Sequence, residues 1–190
     1  MSTEKVQTAA EIFSLQAELL FKHNLNISER CFYAIGEVNM KLLKHIDACL
    51  SILEHQNRRT ITLKLSSEGG EVDAALAIVA RLRQSPCNII VEGHGYIASA
   101  ATLILAAGHK RRFSRIGYYM FHEGSYALEG RHSALEAALE HFTRLETVWC
   151  ELMAERSSMS AAEWASLGRF KDAYMMPAEL LEQGIVEELF

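Results

Sequence analysis

The sequence predicts an α/β fold in which a largely parallel sheet is covered by helices. Apolar, strand-like segments alternate with amphipathic helical segments along most of the chain, and parallel strands need such helical crossovers between them. The chain has 190 residues, of which 49% are hydrophobic, so it is long enough to bury one substantial core.

The first half of the chain opens with an amphipathic helix and continues as strand, helix and strand units. Apolar residues recur at helical spacing over residues 8–23, which predicts the lead helix. Gly69 and Gly70 mark a turn, and Pro86 ends a helical segment. The elements predicted after the lead helix are a strand at 31–35, a helix at 39–54, a strand at 61–65, a helix at 72–83 and a strand at 88–92.

The second half contains the longest predicted helix of the chain, over residues 132–156. Two strands, at 112–116 and 118–121, precede it, and a short helix at 178–182 and a terminal strand starting at 185–186 follow it. An apolar seam follows one face of the long helix. Either its own domain or a second subunit can cover this seam. Its members are Leu135, Leu139, Phe142, Leu145, Trp149, Leu152 and Met153.

Charge and cysteine content exclude several classes of partner. A net charge of -5 argues against nucleic acid, and the short basic run Lys110-Arg111-Arg112 is expected in a solvated turn. The 4 cysteines are widely scattered, which predicts neither a metal site nor disulfides and favours a reducing cytoplasm. No apolar stretch is long enough for a membrane span, so we expect no membrane partner.

Ser99 is the strongest candidate for a reactive residue. It lies among small residues between an apolar strand and an apolar helix. A hydroxyl at a helix N-terminus lies near free N–H groups, which can stabilise an oxyanion. The alternative is that Ser99 only caps the helix.

His122 and Asp172 complete the set of groups that nucleophilic serine catalysis requires. His122 follows four apolar or aromatic residues at the end of a predicted strand, and Phe170 and Tyr174 flank Asp172, where they could shield it from water. Taken alone, each is equally an ordinary strand-end or loop residue. No metal-binding motif occurs among the histidines.

Four segments in one order resemble the proteolytic subunit of the Clp protease, a serine peptidase family of the ClpP/crotonase fold. Residues 65–70 are similar to the family's Asn-Ser-Pro-Gly-Gly turn, and residues 95–102 to its Gly-Gln-Ala-Ala-Ser-Met-Gly-Ala motif. Residues 119–122 resemble its Val-Met-Ile-His strand, and residues 172–187 its aspartate-to-glycine tail pattern. The resemblance covers the chain from about residue 27 to residue 189.

The resemblance implies a fold of repeated ββα units with a protruding handle helix, and it implies a role for each site residue. Ser99 would be the nucleophile, His122 the general base and then acid, and Asp172 the orienting carboxylate. The N–H groups of Gly70 and Ala100 would bind the oxyanion. An extended peptide substrate would pair with two edges, formed by Gly69, Glu71 and Val72 on one side and by Glu123, Gly124 and Ser125 on the other.

The resemblance also implies a homo-oligomer of stacked heptameric rings that takes peptides or unfolded proteins and needs no cofactor. We expect the peptidase domain over residues 27–190 and a helical extension over residues 1–26. This extension stands where the family has an axial loop, so docking to an ATP-dependent unfoldase is left open. Glu68, Glu71 and the pair Phe170-Lys171 depart from the family pattern.

Three alternatives remain at this stage. A crotonase-type enzyme would polarise an acyl-CoA thioester with paired N–H groups, and a non-catalytic subunit would only shape an assembly. A Ser-Lys dyad would need a lysine in place of His122, for which Lys110 is the nearest candidate. The complete Ser, His and Asp set favours the peptidase.

Overall fold

The centre of the protein is one sheet with seven strands. The computed structural model describes residues 9–190, with side chains from residue 13 onward. The strands are β1 (Leu25–Asn26), β2 (Cys31–Ile35), β3 (Ile61–Ser67), β4 (Ile89–Ala98), β5 (Lys110–Phe121), β6 (Ala173–Met175) and β7 (Glu188–Leu189). They lie in the order β1-β2-β3-β4-β5-β6, and β7 pairs with β5.

Helices connect these strands. They are α1 (Ala9–His23), α2 (Met40–Gln56), α3 (Val72–Arg83), α4 (Ala101–Ala106), α5 (His132–Ala154), α6 (Ala161–Gly168) and α7 (Pro177–Glu182). Strands β2 to β5 run parallel, and β1 and β6 are antiparallel to their neighbours. The predicted α/β class with a largely parallel sheet is therefore confirmed.

Local sequence signals explain the elements of the first half. Residues of β3 alternate between buried and half-buried positions, as expected for a strand with one face on the core. The side chain of Asn39 caps α2 by accepting from the N–H groups of Lys41 and Leu42.

Strand β5 joins the two predicted strands at 112–116 and 118–121 into one. Gly117, between them, has φ +149°, and a Cβ there would lie 2.0 Å from the Gly95 carbonyl oxygen. The glycine therefore lets β4 and β5 approach closely, although it looks like a strand end in the sequence.

The basic run at residues 110–112 is not a solvated turn. It begins β5, and the Arg111 side chain is buried and paired with Glu187. Arg112 contacts the carboxylates of Glu92 and Glu188 at 2.5 and 2.8 Å. These carboxylates are distant in sequence, so the segment alone could not show that its charges are neutralised within the sheet.

Four short elements differ from the sequence prediction. Strand β1, helix α6 and strand β6 were not predicted, and the terminal strand, predicted to start at 185–186, starts at Glu188 and ends at Leu189. Helix α6 carries a clear signal in retrospect. Ser160 and Glu163 form a capping box, and Trp164 in the first turn is completely buried.

The apolar seam of α5 is fully buried only at Trp149 and Met153. Its other members are half-buried except Leu139, which is 63% exposed. Helix α1 also exposes large apolar side chains, with Phe13 at 74% and Phe21 at 84%. No helix in the described part of the chain combines the length and the apolar character that a membrane span requires.

Candidate active site

Ser99 lies on a strained turn between β4 and α4. Its φ is +54°, a conformation that non-glycine residues seldom adopt. The Ser99 N–H donates to the Met120 carbonyl at 2.9 Å, so the turn continues the pairing of β4 with β5. Helix α4 is capped by Ala100 and receives no side-chain cap. The Ser99 hydroxyl is therefore not used as a helix cap.

The Ser99 hydroxyl instead contacts His122. The distance between His122 Nε2 and Ser99 Oγ is 2.7 Å, a short hydrogen bond for this pair of atoms. Strand pairing explains the contact. Ala98 lies opposite Met120 in the parallel register, so the residues that follow each strand meet at the same edge of the sheet.

Asp172 lies on the far side of the His122 ring. Its Oδ1 is 3.9 Å from His122 Nδ1, within ion-pair range and beyond hydrogen-bond range. Antiparallel pairing of Phe121 with Ala173 brings the two residues together. The flanking aromatics do not shield the carboxylate. Its side chain is 52% exposed, and the Tyr174 hydroxyl lies 3.5 Å from Oδ2.

Two glycines bring a backbone turn against the nucleophile. A Cβ at Gly69 would lie 2.6 Å from Ser99 Cβ, and a Cβ at Gly70 would lie 2.3 Å from the Val38 carbonyl oxygen. Both glycines have positive φ, at +96° and +145°. Gly69 is therefore required for the close approach to Ser99 and Gly70 for the approach to Val38, so the pair is not only a tight turn.

Backbone hydrogen bonds link the Gly69–Gly70 turn to Val38. Val38 N–H donates to the Gly69 carbonyl at 2.7 Å, and Glu71 N–H donates to the Val38 carbonyl at 2.8 Å. Among residues 9–190, neither the Gly70 N–H nor the Ala100 N–H donates a hydrogen bond. Unpaired backbone donors beside a nucleophile suit a developing oxyanion.

The two predicted substrate edges differ in their backbone. Glu71 precedes α3, and Val72 is its first residue, so this edge is only the short stretch before the helix. Residues 123–125 pair with no strand of residues 9–190. The Glu123 N–H donates to the Gly168 carbonyl at 3.2 Å, and the Gly124 N–H donates to Glu146 Oε1 at 3.1 Å.

The alternative of a Ser-Lys dyad, with Lys110 in place of His122, does not fit the geometry. Lys110 lies at the start of β5, and its Nζ is 2.5 Å from Glu188. His122 follows the other end of the same strand. Within the described residues, no group of three or more His, Cys, Asp or Glu side chains is arranged to hold a metal ion.

Thr102 and Trp149 support the turn, and sequence reasoning assigned them no such role. The Thr102 hydroxyl and N–H both donate to the Ser99 carbonyl, at 2.7 and 2.9 Å. Trp149 Nε1 donates to Thr102 Oγ1 at 3.1 Å. The threonine three residues after the serine is a local signal, but the tryptophan is 47 residues further along.

Comparison with protein families decides the relationship. The sequence model of the Clp protease family matches residues 18–190. This chain belongs to the Clp protease family. The match starts before residue 27, and the division into residues 1–26 and 27–190 stays a prediction.

Known Clp proteases are similar over most of the chain. The ATP-dependent Clp protease proteolytic subunit 2 of Corynebacterium diphtheriae is 28% identical over 169 residues, covering 86% of this chain and 83% of the relative. Subunit 2 of Treponema denticola is 25% identical, with coverages of 86% and 82%. A mutant ClpP1 from Listeria monocytogenes superposes with a TM-score of 0.80 at 25% identity, covering 86% of this chain and 92% of that structure. This Clp family chain is therefore a ClpP-type peptidase in fold and family.

Proposed function

We propose that this Clp family peptidase is a serine endopeptidase that hydrolyses peptide bonds through an acyl-enzyme on Ser99. The observation that carries the proposal is the 2.7 Å contact between Ser99 Oγ and His122 Nε2. A nucleophile needs an adjacent base within this distance, because its hydroxyl proton must leave during attack.

Each proton has a defined path in this mechanism. His122 Nε2 takes the proton from Ser99 Oγ while Oγ bonds to the carbonyl carbon of the substrate. The N–H groups of Gly70 and Ala100, which donate no hydrogen bond within residues 9–190, stabilise the negative charge on the substrate oxygen. His122 then gives its proton to the leaving amine, and water releases the acyl group by the same steps. No cofactor takes part.

Asp172 orients the imidazole in this proposal. A carboxylate beside Nδ1 favours the tautomer in which Nε2 accepts a proton, and it stabilises the imidazolium. The present separation is 3.9 Å, so the carboxylate must move about 1 Å closer to accept a hydrogen bond. Its exposed position leaves room for that movement.

Peptide substrates bind along the backbone edges beside the reacting pair. Gly69, Glu71 and Val72 form one edge, and Glu123, Gly124 and Ser125 form the other. An extended peptide between them gains backbone hydrogen bonds independent of its sequence, as in other strand-addition complexes. The segment at 123–125 must then exchange some of its present contacts for contacts with the substrate.

We propose a homo-oligomer of stacked heptameric rings, with the exposed part of the α5 seam at a contact between subunits. Leu139 is 63% exposed in the single chain, and a contact with a second subunit would remove this apolar side chain from water. The relatives are named as subunits of an ATP-dependent protease, which supports an ATP-dependent unfoldase as a partner. The four cysteines are free and buried, in keeping with a reducing cytoplasm.

The pairing of Ser99 with His122 favours a peptidase over a non-catalytic subunit or an acyl-CoA enzyme. The test is labelling by a fluorophosphonate, which reacts with activated serines. We expect the purified protein to be labelled at Ser99, as located by peptide mass spectrometry. Ser99→Ala should abolish labelling, and Ser133→Ala, at an exposed position on α5, should not. Labelling that persists in Ser99→Ala would refute the assignment.

A further inference from the structure

A cavity of about 510 Å³ lies beside His122, between residues 123–124 and helices α5 and α6. Phe121, Trp149 and Cys150 contribute an apolar wall. This volume is within the range of ligand-binding cavities. Since His122 also contacts Ser99, substrate side chains near the scissile bond have this cavity within reach.

The polar groups of the cavity are mostly hydrogen-bond acceptors. The lining includes three carboxylates, from Glu123, Glu146 and Glu151, and one cation, Arg169. Among the side chains of residues 13–190, none of these carboxylates has a cationic partner within 4.0 Å. Arg169 stacks on the ring of Phe170 instead. The cavity therefore carries excess negative charge.

Two threonines of the lining also present hydrogen-bond acceptors rather than donors. The hydroxyls of Thr143 and Thr147 donate to helix carbonyls at 2.9 Å. Their donors are thus used within α5, and only acceptor capacity remains toward the cavity. A ligand that matches these groups must bring hydrogen-bond donors.

Glu146 is the central carboxylate of this set. It is half-buried, and its Oε1 accepts from the Gly124 N–H at 3.1 Å. Burial raises the pKa of Glu146, and the Gly124 hydrogen bond opposes that rise. A carboxylate that has lost water and has no cation beside it gains strongly from a positive ligand.

Tyr126 lies beside Gly124, since a Cβ at Gly124 would be 2.3 Å from the Tyr126 phenol oxygen. Its ring stacks on Phe142 with centroids 3.7 Å apart, and its buried phenol oxygen has no hydrogen-bond partner in the described chain. Burial, followed by the charges of Glu146 and Asp73, raises the pKa of this phenol. A cation near Gly124 would offset the negative charge of the Glu146 carboxylate, which accepts from the Gly124 N–H.

We infer that Glu146 selects substrates with a lysine or arginine side chain next to the scissile bond. The inference rests on the proposed peptidase function and specifies its substrate class. The aliphatic stem of the substrate side chain packs on Trp149 and Cys150, and its charged head reaches Glu146. An apolar side chain would instead leave the carboxylate desolvated and without a partner.

The test uses fluorogenic peptides in which one of the two residues joined by the cleaved bond is varied at a time. The varied residue is lysine, norleucine or glutamate. We expect kcat/KM of the unmodified protein to favour lysine over norleucine by about tenfold at one of these positions. Glu146→Gln keeps an oxygen for the Gly124 N–H and removes the charge, so the ratio should fall to about one. Glu146→Lys should reverse the preference toward glutamate.

Glu140→Gln is the matched control, because Glu140 lies on the same helix outside the cavity and pairs with Arg144. It should leave the lysine-to-norleucine ratio unchanged. A preference for norleucine in the unmodified protein, or a lysine preference that survives Glu146→Gln, overturns the inference while fluorophosphonate labelling of Ser99 upholds the proposed function. If the unmodified protein neither labels nor cleaves, both fail.

Discussion

Trp149 Nε1 donates a hydrogen bond to Thr102 Oγ1 at 3.1 Å, and this contact ties α5 to the start of α4. The same threonine hydroxyl donates to the Ser99 carbonyl. Two successive hydrogen bonds, from Trp149 on the long helix to Thr102 and from Thr102 to Ser99, thus hold Ser99 at its positive φ. Strained backbone of this kind persists only where its surroundings enforce it.

Removal of the Thr102 hydroxyl should make the backbone at Ser99 less rigid while the nucleophile itself remains. Thr102→Val keeps the shape and loses the hydroxyl, which should lower the rate of fluorophosphonate labelling about tenfold and the free energy of unfolding by about 1 kcal/mol. Thr102→Ser restores the hydroxyl and should recover most of the labelling rate. A Thr102→Val protein that unfolds more easily but labels at the normal rate would show that the threonine only stabilises the fold.

The close approach of Gly69 to Ser99 predicts a steric requirement. In Gly69→Ala, the new Cβ would lie 2.6 Å from Ser99 Cβ, so labelling should be lost and the free energy of unfolding should fall by about 3 kcal/mol.

Gly36→Ala is the control for Gly69→Ala. Its φ is +92°, similar to that of Gly69, but in the described part of the chain nothing lies within 4 Å of its Cβ position. It should cost only the backbone strain of about 1 to 2 kcal/mol and should retain labelling. Equal effects of the two substitutions in urea unfolding and labelling would contradict the close-contact explanation.

Asp172 should contribute less to catalysis than Ser99 or His122. Its carboxylate is 52% exposed and 3.9 Å from the imidazole, so solvent screens part of its effect. We expect Asp172→Asn to lower kcat about 10²-fold, less than the loss of about 10⁴ at a buried orienting carboxylate. Tyr174→Phe, which removes a hydroxyl 3.5 Å from Asp172, should change kcat less than threefold by the weak-contact criterion. A loss of about 10⁴-fold or more in Asp172→Asn would show that solvent does not weaken the contact of this carboxylate with His122.

The ion pair between α2 and α3 predicts a pH-dependent stability. Arg81 donates to both oxygens of Glu54, at 3.0 and 2.8 Å, and this contact lowers the pKa of the Glu54 carboxyl. The pKa is lower in the folded than in the unfolded state, so the stabilisation is complete above about pH 4.3, the unfolded value. It is lost as pH falls through the lower folded pKa.

Glu54→Gln should therefore lower the free energy of unfolding by about 2 kcal/mol at pH 7. The difference from the unmodified protein should shrink below about pH 4. Urea unfolding monitored by circular dichroism at pH 7, 5, 4 and 3 measures both effects, with Glu140→Gln as the surface control. A difference that stays constant over this range would exclude the ion pair as its source.

The exposed part of the α5 seam predicts a contact between subunits. Leu139→Glu places a charge at a position that is 63% exposed in the single chain, so it should not disturb the fold. It should split the particle into smaller rings in sedimentation velocity and reduce peptide cleavage. Leu139 is preferred to Phe142 for this test because Phe142 packs on Tyr126, and a charge there would also disturb a contact within the subunit.

Ala137→Glu, at an exposed neighbouring position, should leave the particle size unchanged. If the Leu139→Glu protein forms particles of the same size as the unmodified protein, this part of the seam is excluded from the interface.

The sequence alone determined the α/β class, most long elements and the three candidate residues. These properties depend on local signals: helical and alternating periodicity, caps, glycine pairs and short motifs at fixed offsets. The resemblance added candidate roles for those residues. Short elements such as β1 and β6 escaped because two or three residues carry no readable period, and β5 was divided because Gly117 looks like a turn when its close partner Gly95 is not known.

Only the tertiary structure decided which groups meet. The Ser99 to His122 distance depends on the register of β4 with β5, and the loose position of Asp172 depends on β6. Trp149 and Glu146 lie 47 and 22 residues from the groups they bind, and no local pattern marks such partners. Contacts between distant segments arise from packing of the whole chain. The hydrogen bonds that link Trp149, Thr102 and Ser99 and the acidic cavity beside His122 were therefore found only in the tertiary structure.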